Sequence, residues 1–203
     1  MAEDQPQIYL ISPSAIDRET FADALAAVLD AQDVACFRLA LSGADEDEIS
    51  RDADALREVC HARDVPIVIE RHFRLAARLG LDGVHLPDAA KSIRDARKDL
   101  GADAIVGCYC GTSRHAGMSA GEAGADYVAF GPVASGGLGD GKTADQDLFA
   151  WWSEMIEVPV VAEGGMSAEM VAALAPVSDF LGISEIWKGD DPVAALKAML
   201  AGL

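Results

Sequence analysis

Strand-like and helix-like segments alternate along this chain from end to end, and that alternation limits the fold more than any single motif. Ile8–Ser12 reads as a strand whose exit is marked by Ser12-Pro13. Arg18–Asp30 has helical spacing, with Phe21, Leu25, Val28 and Leu29 on one face. Val34–Leu41, Val65–Glu70, Gly83–Leu86, Ala104–Tyr109 and Tyr127–Phe130 read as strands two to six. The helices between them are Asp45–Arg63, His72–Leu79, Asp88–Leu100 and Ser113–Ala123, the last three stopped by Gly80, Gly101 and Gly124. After a glycine-rich connection, Gly131–Gly141, come helix Asp145–Met155, strand Val158–Ala162, helix Ser167–Leu174, strand Phe180–Ile183 and helix Pro192–Leu200.

That makes eight βα units of about 25 residues each in a chain of 203 residues. Their number and regularity favour a closed (β/α)8 TIM barrel, one domain over residues 1–203, above an open doubly wound sheet. A dinucleotide fold would place G-x-G-x-x-G after the first strand, where this chain has Ile11-Ser-Pro-Ser14.

Composition narrows the partners. Hydrophobic residues make up 51% and aromatic ones only 6%, so the core is built of Ala, Val, Leu and Ile, as parallel α/β layers are. A net charge of −18 repels nucleic-acid phosphates, so no nucleic-acid partner is expected, and the acidity reads as a solvated surface. A bare anionic substrate then depends on local positive charge or on a cation. No apolar run reaches membrane-spanning length, and Met1–Pro6 is short, acidic and polar, which points to no membrane and to the cytoplasm. Four cysteines make no disulfide framework in a chain of this size. Cys108 and Cys110 share one side of a strand; packed or mouth-facing thiols are expected there, because C-x-C alone makes a poor zinc site.

Two neighbouring strand ends suggest a ligand. Val158–Ala162 runs on into Gly164-Gly165, with Ser167 placed to cap the next helix, and Phe180–Ile183 runs into Ser184. Small residues there leave backbone N–H groups with no Cβ in the way, which suits an anion. The last two strand ends are where a TIM barrel makes its phosphate site. Gly164, Gly165, Ile183 and Ser184 are therefore candidate phosphate ligands, the alternative being that Gly164-Gly165 is only a tight turn.

Other strand ends carry chemistry of their own. Arg38 stands inside an otherwise apolar strand and needs an anionic partner. The third strand ends in Glu70-Arg71-His72, the fourth in His85-Leu-Pro-Asp88 and the fifth in Tyr109-Cys110, while the sixth leads to Ser135 and Lys142. Glu70, Arg71 and Asp88 read equally as charges at helix starts. His85 reads first as a packed, hydrogen-bonded core histidine and second as an acid or base. The Gly131–Gly141 connection is either a lid over a ligand or a flexible link.

Taken together, Gly83-Val-His-Leu86, Gly124-Ala-Asp-Tyr-Val-Ala-Phe-Gly-Pro132, Val158-Pro-Val-Val-Ala-Glu-Gly-Gly-Met166 and Gly182-Ile-Ser184 resemble the thiamine phosphate synthase family, which includes the related thiazole tautomerases. Order and spacing agree from Ile8 to the last helix. The resemblance implies a TIM barrel that joins hydroxymethylpyrimidine pyrophosphate to thiazole phosphate, with Mg2+ holding the departing pyrophosphate. It implies a thiazole-phosphate role for Gly164, Gly165, Ile183 and Ser184. It implies leaving-group stabilisation by Arg38, which matches the family's second-strand arginine, and by Lys142, which matches the loop lysine given a small insertion. Arg71, which has no counterpart in the family, would add a further cation.

The pyrophosphate side departs from the family pattern. Where the family has Q-L-R-x-K, this chain has Cys36-Phe-Arg-Leu-Ala40; where it has N-D, Glu70-Arg71 stands. G-Q-x-D becomes Pro87-Asp88-Ala89-Ala90, the fifth-strand serine becomes Tyr109, and T-x-T-K keeps only Ser135 as a hydroxyl near its start. The tautomerase histidine falls at Gly111. Mg2+ would have to be held from shifted positions by Asp88 and Glu70, or be replaced by the charge of Arg71. Two further readings stay open: a phosphate-ligand binder or regulator without the chemistry, and another enzyme on phosphorylated small molecules using Glu70 or His85 as acid or base.

Overall fold

The computed structural model describes residues 5–42, 45–134 and 141–203. Eight parallel strands close into a barrel in chain order, β1 beside β8. They are β1 (Gln7–Ile11), β2 (Cys36–Leu39), β3 (Ile67–Glu70), β4 (Gly83–Leu86), β5 (Ile105–Tyr109), β6 (Tyr127–Phe130), β7 (Val160–Glu163) and β8 (Phe180–Ile183). The helices that follow each strand are α1 (Arg18–Ala31), α2 (Glu46–His61), α3 (Phe73–Leu79), α4 (Ile93–Leu100), α5 (Arg114–Glu122), α6 (Gln146–Met155), α7 (Ala168–Leu174) and α8 (Pro192–Leu200). This is the TIM barrel that the eightfold alternation predicts.

The strands are short and largely apolar, and their side chains alternate between two environments. One set packs outward against the helices, where Leu10, Phe37, Ile67, Val84, Phe130 and Leu181 join Leu25, Leu56, Ala76 and Trp152 in the larger core. The other set fills the barrel, where Tyr9, Ile11, Cys36, Val68, Tyr127, Ala129 and Val161 form a smaller cluster. Gly107 makes room inside it: a Cβ there would lie 1.9 Å from the Tyr127 ring.

Part of the acidity is structural. Asp17, Asp45, Asp145 and Asp191 each accept from a backbone N–H in the first turn of the following helix, as Ser113 and Ser167 do. Asp82, Asp126 and Asp179, each just before an even-numbered strand, accept from the amides of Ile67, Val106 and Val160 at 2.8, 2.7 and 2.8 Å. Each such bond fixes the entry of one strand against its predecessor.

Several boundaries differ from the sequence reading, among them those of β2, β7 and the fourth helix. β2 keeps only the central four residues of Val34–Leu41. β7 begins after Pro159, which has no N–H to give a ladder, and it extends to Glu163. The fourth helix starts at Ile93 and not at Asp88, because Ala89 turns left-handed (φ 54°) and Ser92 Oγ donates to Asp88 Oδ2 at 2.6 Å, holding residues 88–92 as a turn.

Candidate active site

At the C-terminal ends of the strands, where TIM barrels carry their chemistry, Arg38, Glu70, Arg71, His85, Pro87, Tyr109, Pro132, Glu163 and Gly164 line a cavity of about 380 Å3. A larger depression of about 670 Å3 at the opposite end, around Gln7, Gln32 and Arg63, has no comparable convergence of charged strand-end side chains.

The deepest charges in the mouth are Arg38 and Glu163. Arg38 Nη1 donates to Glu163 Oε2 at 2.8 Å and Nη2 to Oε1 at 3.1 Å, and the two residues are 5% and 8% exposed. The anion that Arg38 requires is thus an internal carboxylate. Burial alone would lower the pKa of the guanidinium, but Glu163 outweighs it and the pKa is raised. Arg38 Nε is buried without a hydrogen-bond partner, so one oriented donor of the pair is unused.

Below this pair, Tyr9 and Tyr127 hydroxyls meet at 2.5 Å, and Tyr127 Oη lies 2.9 Å from His85 Nδ1. The His85 ring stacks on Tyr127, and the Arg38 guanidinium lies over the Tyr9 ring. Burial, then the charge of Arg38, push the imidazole pKa well below its ordinary value, so His85 stays neutral. Burial also raises both phenols, which stay protonated. His85 is the hydrogen-bonded core histidine of the first sequence reading, and it also lines the cavity.

Around the rim, Arg71 is left-handed (φ 72°), with His72 N–H donating to the Glu70 carbonyl at 2.9 Å. The residue therefore sits at the centre of a tight, strained turn. Its side chain is 64% exposed and its Nε lies 3.4 Å from Glu70 Oε1. Tyr109 Oη donates to the Gly131 carbonyl at 2.5 Å, tying β5 to the start of the long connection. Lys142 lies beyond this cavity, in a second depression of about 530 Å3 shared with Thr112 and Arg114. Ser135 lies outside the described residues.

Gly164 and Gly165 are both left-handed (φ 85° and 81°), and a Cβ on either would come within 3.0 Å of Pro132 or Ala134. Glycine is required twice in this turn. The amides expected to be free are taken, however: Gly165 N–H donates to Glu185 Oε1 and Ser184 N–H to Glu185 Oε2, each at 3.0 Å. Ile183 has its side chain fully buried and can offer a ligand only its backbone.

The donor set does not fit a divalent ion as it stands. Among the described residues no group of three His, Cys, Asp or Glu side chains is placed to hold a metal. The two cavity carboxylates each face an arginine. Asp88 is outside the cavity lining; its Oδ2 accepts from Ser92, while Oδ1 is buried without a partner. Cys108 and Cys110 are packed thiols with Sγ atoms 3.5 Å apart, and hydrogen bonding and burial raise the Cys110 pKa. No helix among the described residues is long and apolar enough to cross a membrane.

Glu163 and Glu185 escaped the sequence reading as site residues. The signal for Glu163 was present: a buried arginine calls for an acid, and Glu163 shares its strand parity with the inward-facing Val161.

A family model described as Thiamine monophosphate synthase matches residues 8–186. The thiamine-phosphate synthase of Rhodospirillum centenum is 48% identical over 179 residues, covering 87% of this chain and 86% of that one. That of Erythrobacter litoralis is 40% identical over 203 residues, covering 96% and 95%. Among solved structures, thiamine phosphate pyrophosphorylase from Pyrococcus furiosus superposes with a TM-score of 0.83 over 97% of this chain and 95% of that one, at 19% identity, a likeness of fold.

Proposed function

Since this chain belongs to the thiamine monophosphate synthase family, whose enzymes serve thiamine biosynthesis, we propose that it joins hydroxymethylpyrimidine pyrophosphate to thiazole phosphate at the barrel mouth. The observation that carries this reading is the continuity of the charged cavity with the Gly164-Gly165 turn, since Gly164 belongs to both. One side offers cations to a leaving group, and the other offers a phosphate the backbone amides of Gly165 and Ser184 once the Glu185 carboxylate gives them up.

In the reaction, the bond between the pyrimidine methylene and the pyrophosphate oxygen breaks and its electron pair leaves with pyrophosphate. The thiazole nitrogen lone pair then forms the new C–N bond, giving a thiazolium. No proton need move in these two steps. Arg71, exposed at the rim, and Lys142, from the neighbouring depression, supply positive charge to the departing group. Arg38 is already neutralised, and it contributes an oriented Nε–H rather than a net charge. Neutral His85 and Tyr109 form polar walls of the cavity. Gly164, Gly165, Ile183 and Ser184 hold the thiazole phosphate through their backbone. Mg2+ is the ion the family resemblance implies, and no step is assigned to it with the carboxylates arranged as they are. Four buried free cysteines suit a reducing, cytoplasmic setting.

A second reading, a phosphate-ligand binder that has lost the transfer, is favoured by the internal pairing of Arg38. The two are separated by incubating purified protein with both substrates, with and without Mg2+, and following thiamine phosphate and pyrophosphate. Product formation that falls at least tenfold in Arg71→Ala supports the synthase. Absence of product under all conditions, with thiazole phosphate still bound, refutes it in favour of the binder.

A further inference from the structure

The Glu185 carboxylate spans two strand ends. One oxygen takes the amide of Gly165 after β7, the other that of Ser184 after β8, and these are the backbone donors assigned above to a substrate phosphate. We propose that Glu185 is an internal competitor for that phosphate: its carboxylate occupies the two amides until a phosphate group displaces it, and so sets the apparent affinity of the subsite. This rests on the reading of Gly164 to Ser184 as the phosphate subsite.

Three observations carry the argument. First, the match is one of anion to donors: two acceptor oxygens of one carboxylate are each 3.0 Å from an amide on a different loop. An N–H group donates one good hydrogen bond, so phosphate and carboxylate cannot both be served by the same pair. Like charges at such a distance would also repel.

Second, the carboxylate is not needed to join the two strands. β7 and β8 are already paired in parallel from Val161↔Phe180 to Glu163↔Gly182. The Gly165 turn is held separately, since the Val133 N–H donates to the Gly164 carbonyl at 2.8 Å and Ala134 packs against Gly165. The backbone of the cradle therefore stands without Glu185.

Third, Glu185 opens the short 3-10 turn Glu185–Lys188 and is only half-buried, with its side chain at the edge of the mouth. Rotation about its side-chain bonds moves the carboxylate into water without moving the main chain. The core residue of this turn is its neighbour, Ile186, which is 1% exposed.

A competitor and a staple predict opposite signs. If Glu185 merely braces two loops, removing it loosens the cradle and weakens phosphate binding. If it competes, removing it exposes the amides and strengthens binding by the inverse of the fraction of time they are free. With the amides free about one tenth of the time, the gain is about tenfold.

The test titrates the protein, Glu185→Gln and Glu185→Ala with inorganic phosphate, following the backbone amide resonances of Gly165 and Ser184 and the thermal midpoint. Glutamine keeps the shape and one acceptor but no charge, so it guards against a folding defect in the alanine variant. Expected are shifts of both resonances and about tenfold tighter phosphate binding in each variant. Affinity that is unchanged or weaker in both variants, with the midpoint preserved, overturns the competitor and leaves the phosphate subsite standing. Absence of phosphate-induced shifts in all three proteins removes the subsite reading itself and the competitor with it.

Discussion

Arg38 on β2 and Glu163 at the end of β7 lie 125 residues apart and meet in a two-point ion pair, 2.8 and 3.1 Å, inside the mouth of the barrel. Neither could be tolerated there alone. A buried pair stabilises little relative to apolar residues, yet breaking it leaves one charge without compensation. Glu163→Gln should therefore cost about 3–5 kcal/mol of unfolding free energy. The double variant Arg38→Met/Glu163→Leu should recover most of that loss while abolishing turnover. Urea denaturation of Glu163→Gln checks the loss, and that of Arg38→Met, Glu163→Leu and the double variant measures the coupling. A loss below about 1 kcal/mol in Glu163→Gln would show that the pair is far better solvated than its burial indicates.

His85 gives the stability a pH dependence of known sign. Its folded pKa lies well below the ordinary 6.5, first through burial and then through Arg38. Below about pH 6.5 the unfolded chain binds a proton that folded His85 refuses, so unfolding gains from acid. The contribution is complete above that pH and is lost as pH falls towards the folded value. Against His85→Gln, the protein should lose relative stability between about pH 7 and 5, with a slope approaching about 1.4 kcal/mol per pH unit. Parallel denaturation curves at several pH values check it; a difference that is flat with pH would mean that folded His85 titrates normally.

The barrel was legible because the evidence for it is local and repeated: each strand is a short, largely apolar run, and each helix has a capping Asp or Ser or a terminal glycine. The strand-end positions of Arg38, Glu70, His85 and Tyr109 followed directly. Pairings across the closed sheet were not legible, because they depend on closure and inward parity and not on spacing. Arg38 visibly needed an anion, but Glu163 was hidden inside a run read for its glycines. Glu185 was missed for a different reason. Its neighbour Ser184 carries the visible signal of small residues, and a carboxylate one residue on gives no sign in the sequence that it reaches two amides. Gly107 gave no sequence signal at all, since the clash it avoids is with Tyr127 on the next strand.

Asp82 fixes the entry of β4 on β3. Its carboxylate accepts from the amide of fully buried Ile67 at 2.8 Å and lies 2.8 Å from His61 Nε2. Asp82→Ala leaves that amide unpaired and should cost about 1–3 kcal/mol. Asp82→Asn keeps an acceptor and should recover at least half of the loss. Thermal unfolding of both variants checks this; equal losses would assign the effect to His61 rather than to the strand amide.

Arg71 combines a strained backbone with the rim cation of the proposed reaction. A non-glycine residue at φ 72° costs about 1–3 kcal/mol, and glycine accepts that backbone freely. Glycine also adds about 0.5–1 kcal/mol of chain entropy to the unfolded state, so Arg71→Gly should gain about 1 kcal/mol in stability. The same change removes an exposed cation from the rim of the cavity and should lower synthase turnover at least tenfold. Arg71→Ala, which keeps the strain and loses the cation, should match the loss of turnover without the gain in stability. Unfolding and turnover measured on both variants separate backbone from charge. If Arg71→Gly gained stability with turnover intact, the arginine would be a structural accident of the turn, and the leaving-group charge would have to come from Lys142 or from a metal.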